Sequence, residues 1–514
     1  MARYAAGVVK KEAFEVLPEA VADAIGDAFG DSSDGKARGA VEFGAFGCVL
    51  CRKSVQQRRQ LGEVSEIRGI HVRYAKSNKG ICTRRQTKRA KAIAVELIAE
   101  LAWMESVVWK YAKQDNTHPP KKRLMKLSLR VSGLLFAALI SLQAQTPSLV
   151  PAPLWEQTQT LPKSAELTSV QGAEFHVIKK QRPDTDECKF TLGVGLAWHK
   201  DRLYASYAFN KGDENTPTEE AHIRVSADAG RTWGAPVVMD NGEGNLGVSH
   251  GVFLSHSGRL WAFMGAFYDK FERTHTRAYT LNETSGSWEP HGVIIDGGFW
   301  PMQEPQKMAD GNWIMSGLHV SDSSHIGQTR TANLPAVAIS HGDDFTRWDV
   351  VVIPAAPDLG AIWGESTVIV EAKRTLNISR YGAKPVALVS VSEDNGRTWT
   401  PSAPSNLPMA TSKPYAGILS TGQRYLVCTT AADTGGRRTP VTIAVSKPGE
   451  SVFSKVFVIR RSVFPEGPGV SDPRADFSYP YAVEHDGKLF IGYTHKSHGA
   501  NELAVIPVQS LRVE

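Results

Sequence analysis

Cysteine is scarce, with 5 in 514 residues, so no disulfide framework can carry the fold. No apolar run reaches the roughly 20 residues that a membrane-spanning helix needs. After Gln145 no long amphipathic helix pattern occurs, which excludes a helical bundle. Positive charge is in only slight excess, +6 overall, and even that is local. Residues 1–124 hold 23 Lys+Arg against 14 Asp+Glu; subtracting from the totals of 59 and 53 leaves 36 against 39 for residues 125–514. The larger part of the chain is thus mildly acidic, and no broad basic field for nucleic acid is expected of it. Hydrophobic residues at 42% and charged residues at 22% exclude a disordered chain and leave a folded, loop-rich one.

The two charge regions meet at KKRLMKLSLRVSGLLFAALISLQA, residues 121–144. A basic stretch (Lys121, Lys122, Arg123, Lys126, Arg130) leads into the apolar residues 131–142 and then to Ala144, ahead of a polar, Pro-containing start. That is the pattern of a secretory signal peptide cleaved at Ala144/Gln145, and Met125 stands where such a peptide begins. A secreted or periplasmic protein follows, with residues 125–144 as signal peptide and no stable membrane insertion after cleavage. Residues 1–124 then form a basic extension upstream of the working start; the alternative is a basic domain ahead of an uncleaved anchor. Within it the run 84–113 reads as a helix with a basic beginning, a solvated face. Cys48 and Cys51 form a lone CxxC with no second pair to complete a zinc site, so no metal and no cofactor is expected.

Residues 145–169 read as a linker, and from about 170 one pattern recurs six times. Two apolar runs flank a small polar turn in HKDRLYASY (199–207), HSGRLWAFM (256–264), ADGNWIMSG (309–317), EAKRTLNIS (371–379), STGQRYLVC (420–428) and HDGKLFIGY (485–493). Such turns between Val-, Leu- and aromatic-rich runs signal β-hairpins. Six repeats of roughly 50–60 residues, each enough for four short strands, predict an all-β six-bladed propeller over 170–514. Cys188 and Cys428 fall in repeats one and five, which are not neighbours, so no disulfide between them is expected.

A second motif, S-x-D-x-G-x-T-W, occurs as SADAGRTW (226–233) and SEDNGRTW (392–399), with altered copies at 340–348 and 282–288. Its aspartates, Asp228 and Asp394, suit backbone N–H groups across a turn, its glycines permit positive φ, and Trp233 and Trp399 pack onto a blade. These are structural carboxylates.

The two boxes resemble the Asp-boxes of the sialidase (neuraminidase) superfamily, over roughly residues 170–514. The resemblance implies a site where the inner strands begin, with a Glu opening the fourth blade and an Arg beyond the following turn. WGESTVIVEAKRTLNISR places Glu365 and Arg380 there. It implies a further arginine in blade five, where GGRRTP offers Arg437 and Arg438, the latter preferred. The nucleophilic tyrosine of the last blade corresponds to Tyr479 in FSYPYAVEHDG, with Tyr481 as the alternative. A phenol needs an adjacent base, the role implied for Glu365, and a neutral nucleophile avoids repelling a substrate carboxylate. The acid/base carboxylate is expected in NKGDENTPTEE (210–220), as Asp213 or next Glu214. Blade one departs from the pattern: KFTLGVGLAW has Thr191 where the first arginine of the triad is expected.

The expected activity is therefore a sialidase-like glycoside hydrolase acting on an acidic or complex glycan rather than on sialic acid specifically. Tyr479, Glu365 and Asp213 are its catalytic set, and Arg380 and Arg438 its anion clamps. His250, Trp300, Glu304 and Trp363 sit at repeat starts as further substrate-binding candidates, as do His319 and Lys413, with inter-blade packing the competing role. Two alternatives stay open. One is a polysaccharide lyase on the same fold with His250 or His319 as base; the other is a non-catalytic glycan-binding propeller.

Overall fold

Each of the six hairpin signals falls between the first and second strands of one blade. The computed structural model describes residues 152–321, 333–461 and 476–513. The expected signal peptide, basic extension and Met125 start lie outside the described residues. Blade one contains Phe190–His199, Arg202–Asn210, Glu219–Ser226 and Val237–Asp240 as a four-stranded antiparallel meander. Blades two and four repeat that order from Leu246–His256 and Ile362–Glu371. Blade three has a broken inner strand, Phe299–Pro301 and Gln306–Lys307, both paired with Trp313–Val320. Blade five begins at Tyr415–Ile418 and blade six at Phe477–His485.

The ring closes through a strand that precedes blade one. Glu174–Lys180 pairs with Ala500–Pro507 as the outermost strand of blade six, in a register that sets Glu174 against Val505. An edge that would otherwise stand open is thereby tied to the other end of the fold. Part of the segment expected as a linker is also built in. Leu154 and Trp155 are buried, Trp155 bridges Phe453, and Thr168–Ser169 runs parallel to Phe453–Arg460 of blade five. An apolar Leu-Trp pair is better buried than solvated, and blade five offers it cover. No helix among the described residues is long and apolar enough to cross a membrane.

Blades stacked face to face bury both sides of their inner strands. Leu246–His256 is covered along nearly its whole length, whereas the outer Val237–Asp240 is largely open. The Asp-boxes knit neighbours together from the face opposite the inner-strand starts. Ser226 and Asp228 hold the first box through Gly230 N–H to Ser226 Oγ (2.8 Å) and Thr232 N–H to Asp228 Oδ1 (2.8 Å); Ser392 and Asp394 repeat this at 2.9 and 2.8 Å. Gly230 has φ +85° and sits so close to Leu503 that a Cβ would come within 2.2 Å of it. Only glycine fits a turn of that conformation and contact. The box of blade one thus seats on blade six, and that of blade four seats against Ile314 of blade three.

Candidate active site

Four inner strands lose their pairing register at the same depth, near where they begin. The breaks lie between Leu192 and Gly195, Val248 and Gly251, Ile362 and Ser366, and Ser478 and Tyr481. Such irregularities turn side chains away from strict alternation, and His250, Glu365 and Tyr479 all lie inside them. Tyr479 itself has φ +54°, a costly conformation for a bulky residue and one found where geometry serves a site.

The centre is a carboxylate shared by two donors. Glu365 Oε1 accepts from Tyr479 Oη at 2.7 Å and from Arg380 Nη1 at 2.6 Å. Glu365 and Arg380 are both buried, while Tyr479 stays partly open. Burial holds the Tyr479 phenol well above its ordinary pKa, with the Glu365 charge adding to this and Arg380 opposing it. The nucleophile candidate is thus neutral at rest, with a base already on its hydroxyl. Trp363 lies under the Arg380 guanidinium, 4.8 Å from its carbon to the ring. It orients the arginine by a cation–π contact.

Several candidates take other places. Trp300 does not offer a face to a sugar: it is buried, its Nε1 donates to the His250 carbonyl (3.2 Å), and it packs with Phe267, Phe271 and Leu318 beneath Tyr479. His250 stands edge-on to the Tyr479 ring at 5.4 Å. Its ring lies over Gly193, where any Cβ would meet it at 2.3 Å. Burial, helped by the Lys413 charge, lowers the His250 pKa to about 3, so it is neutral and a weak base. Glu304 accepts from Tyr415 Oη at 2.7 and 2.8 Å, and burial raises its pKa. His319 pairs with Phe299 at the start of blade three.

Arg438 does not reach Glu365. It donates to Ser478 Oγ (2.7 Å), Asp476 Oδ1 (3.4 Å) and the Thr411 carbonyl (2.9 Å), bracing the strand just ahead of Tyr479. Position 191 of blade one supplies no arginine: Thr191 is buried, donating to the Ala208 carbonyl and accepting from Asn501. Asp213 is exposed and its carboxylate caps the Glu214 N–H at 2.8 Å, so the structure keeps it within its own loop. Glu214 is the loop carboxylate whose charge is felt at Tyr479, and Lys496 reaches it at 3.5 Å. Cys188 and Cys428 are free and buried.

Sequence reasoning passed over Glu219 and left Lys413 between substrate binding and inter-blade packing. Lys413 is buried, donates to the Pro480 carbonyl (2.9 Å) and lies over the Tyr415 and Tyr481 rings; burial lowers its pKa to about 7, against the charges of Glu304 and Glu365. Glu219, the penultimate residue of the acidic loop, is buried and holds that loop through Asn210 Nδ2 and the Asn215 N–H, both at 3.3 Å. Nothing in the run of carboxylates 213–220 marks it except its place at the start of a strand.

Burial raises the Glu219 pKa to about 7, against hydrogen bonds that lower it. The folded protein therefore keeps this proton up to about pH 7, while the unfolded chain releases it near the ordinary value of 4.5. Between those limits the native state binds more protons, so this group's stabilisation is complete below pH 4.5 and is lost as pH rises through 7, by about 3 kcal/mol. Glu219→Gln should erase that slope. Melting curves of variant and parent from pH 5 to 8 would diverge in the variant's favour as pH rises, and parallel curves would count against the assignment.

The family model described as BNR repeat-like domain matches residues 201–491. No curated protein matches the chain by sequence. Solved structures match by fold. The Hadza microbial sialidase Hz136 superposes with TM-score 0.51 at 14% identity, over 64% of this chain and 68% of that one. A protein of unknown function from Dyadobacter fermentans gives 0.50 at 13%, over 65% and 99%. NanB sialidase from Streptococcus pneumoniae gives 0.50 at 9%, over 65% and 71%. At these identities the likeness is one of fold, a sialidase-like propeller.

Proposed function

The chain belongs to the BNR repeat-like domain family, and from that premise we propose that it is an exported, sialidase-like glycoside hydrolase acting on an acidic or complex glycan. The observation that carries the proposal is the Tyr479–Glu365–Arg380 cluster, with both donors on one carboxylate oxygen at 2.7 and 2.6 Å. Tyr479 Oη attacks the anomeric carbon as Glu365 takes its proton, and the leaving oxygen receives a proton from a carboxylic acid of the 210–220 loop. Water then releases the sugar from the tyrosine by the reverse proton movements, with retention at the anomeric centre. Arg380 balances the Glu365 charge and faces an acidic group of the substrate.

Thr191 in place of the blade-one arginine favours an anionic sugar held by fewer charges than a full triad supplies. The neutral, weakly basic His250 speaks against a lyase that abstracts a proton through it. The test is a screen of the purified protein against sialosides, uronate polymers and neutral glycans. The expected result is a released reducing sugar from an acidic glycan, without the ultraviolet absorbance of an unsaturated product. Binding with no release on any of the three classes would reject hydrolysis in favour of a glycan-binding propeller.

A further inference from the structure

The turn that joins the second and third strands of blade six gathers two imidazoles and a carboxylate. His495 ends the strand Lys488–His495, His498 closes the short 3-10 turn Lys496–His498, and Glu502 lies in Ala500–Pro507 opposite Tyr493. Their ligand atoms all lie within 4.8 Å of one another, in a group that stands alone in this respect among the described residues. His495 Nδ1 is 3.0 Å and His498 Nδ1 3.9 Å from Glu502 Oε1, and the two ring centroids lie 3.7 Å apart with the planes tilted by 32°.

The two carboxylate oxygens are used differently. Oε2 accepts from Tyr493 Oη at 3.0 Å and faces Arg460 Nε at 3.5 Å. Oε1 is turned to the two histidines. Anchoring of one oxygen while the other points at imidazoles is the outer-shell arrangement that fixes a metal-binding carboxylate. His495 and Glu502 are almost fully buried, whereas about a third of His498 is exposed, which leaves an entry path and room for water as a fourth ligand.

We propose that His495, His498 and Glu502 form a binding site for a first-row transition-metal dication, Zn²⁺ foremost. Two imidazoles and one carboxylate suit such an ion, whereas Ca²⁺ and Mg²⁺ require oxygen donors. Metal bonds of about 2.0–2.1 Å in a tetrahedron set ligand atoms roughly 3.3 Å apart, so atoms now within 4.8 Å of one another need to approach by at most about 1.5 Å. The site braces the strand of the nucleophile candidate. Phe477 stacks on His495 at 4.3 Å, and Lys496 N–H donates to the Asp476 carbonyl at 2.9 Å, two and three residues ahead of Tyr479.

The probe is the metal alone, added to the full chain stripped with chelator, so the outcome does not depend on any hydrolytic activity. Zn²⁺ should bind at one equivalent by calorimetry and raise the melting temperature, and Co²⁺ should develop visible d–d bands at the same stoichiometry. His498→Gln, whose side chain is outside the core, should melt like the parent in chelator, lose the metal-induced rise and bind at least about tenfold more weakly. Glu502→Gln should also bind more weakly. No uptake by the parent, or uptake undiminished in His498→Gln, overturns the site.

Discussion

Tyr479→Phe is expected to lower turnover about a thousandfold or more on the glycan the parent cleaves best, with the substrate still bound. The variant loses one oxygen, the atom that both attacks and hands its proton to Glu365. Glu365 keeps Arg380 as a partner at 2.6 Å, so the charge is not orphaned and the fold should hold. Tyr479 already pays for a φ of +54°, and phenylalanine keeps the ring packed beside His250 and against the Trp300 cluster. The measurement is kcat and KM for both proteins, with melting temperature as the control for folding. An unchanged kcat would remove the tyrosine from the mechanism. Tyr481 would not take its place, because its ring is buried against Tyr415, 4.7 Å between centroids.

Arg380→Met should have the largest effect on stability. The Arg380–Glu365 pair is buried, with side-chain exposures of 10% and 5%. Removing one partner leaves an unbalanced carboxylate in a poorly solvated place, at a cost of roughly 3–5 kcal/mol. Urea unfolding should show the midpoint shifted down by a corresponding amount. Arg380→Lys should recover much of that stability through its charge, yet not the KM for an acidic glycan, since an ammonium lacks the planar fork. Equal KM values for the lysine variant and the parent would show that Arg380 serves Glu365 only and never touches substrate.

The repeat architecture was legible because hairpins are local. A polar turn between two apolar runs states its own pairing, and six such turns at even spacing leave few alternatives. Glu365, Arg380 and Tyr479 were legible for a related reason: each sits at a defined point of a repeat, and the structure brings these three together. Asp213 and Arg438 were placed by the same rule and fare differently. One folds back onto its own loop, and the other braces Ser478. Repeat position says which strand carries a residue, but a break in register decides where its side chain turns. Trp300 shows the limit again, since an aromatic at a blade start reads alike whether it stacks on a sugar or fills the space beneath Tyr479.

By itself the sequence determined an all-β propeller of six blades, the structural role of both Asp-boxes and the absence of an arginine at Thr191, all of which depend on order along the chain. Tertiary structure alone decided which carboxylates lose their water. Glu219 and Glu214 are near neighbours in one acidic run, yet one is sealed under Asn210 and the other reaches Lys496. It also decided that His495, His498 and Glu502 face one another, because a strand, a tight turn and a return strand had to form first. The charges of single residues are written in the chain; their energies depend on what the fold sets around them.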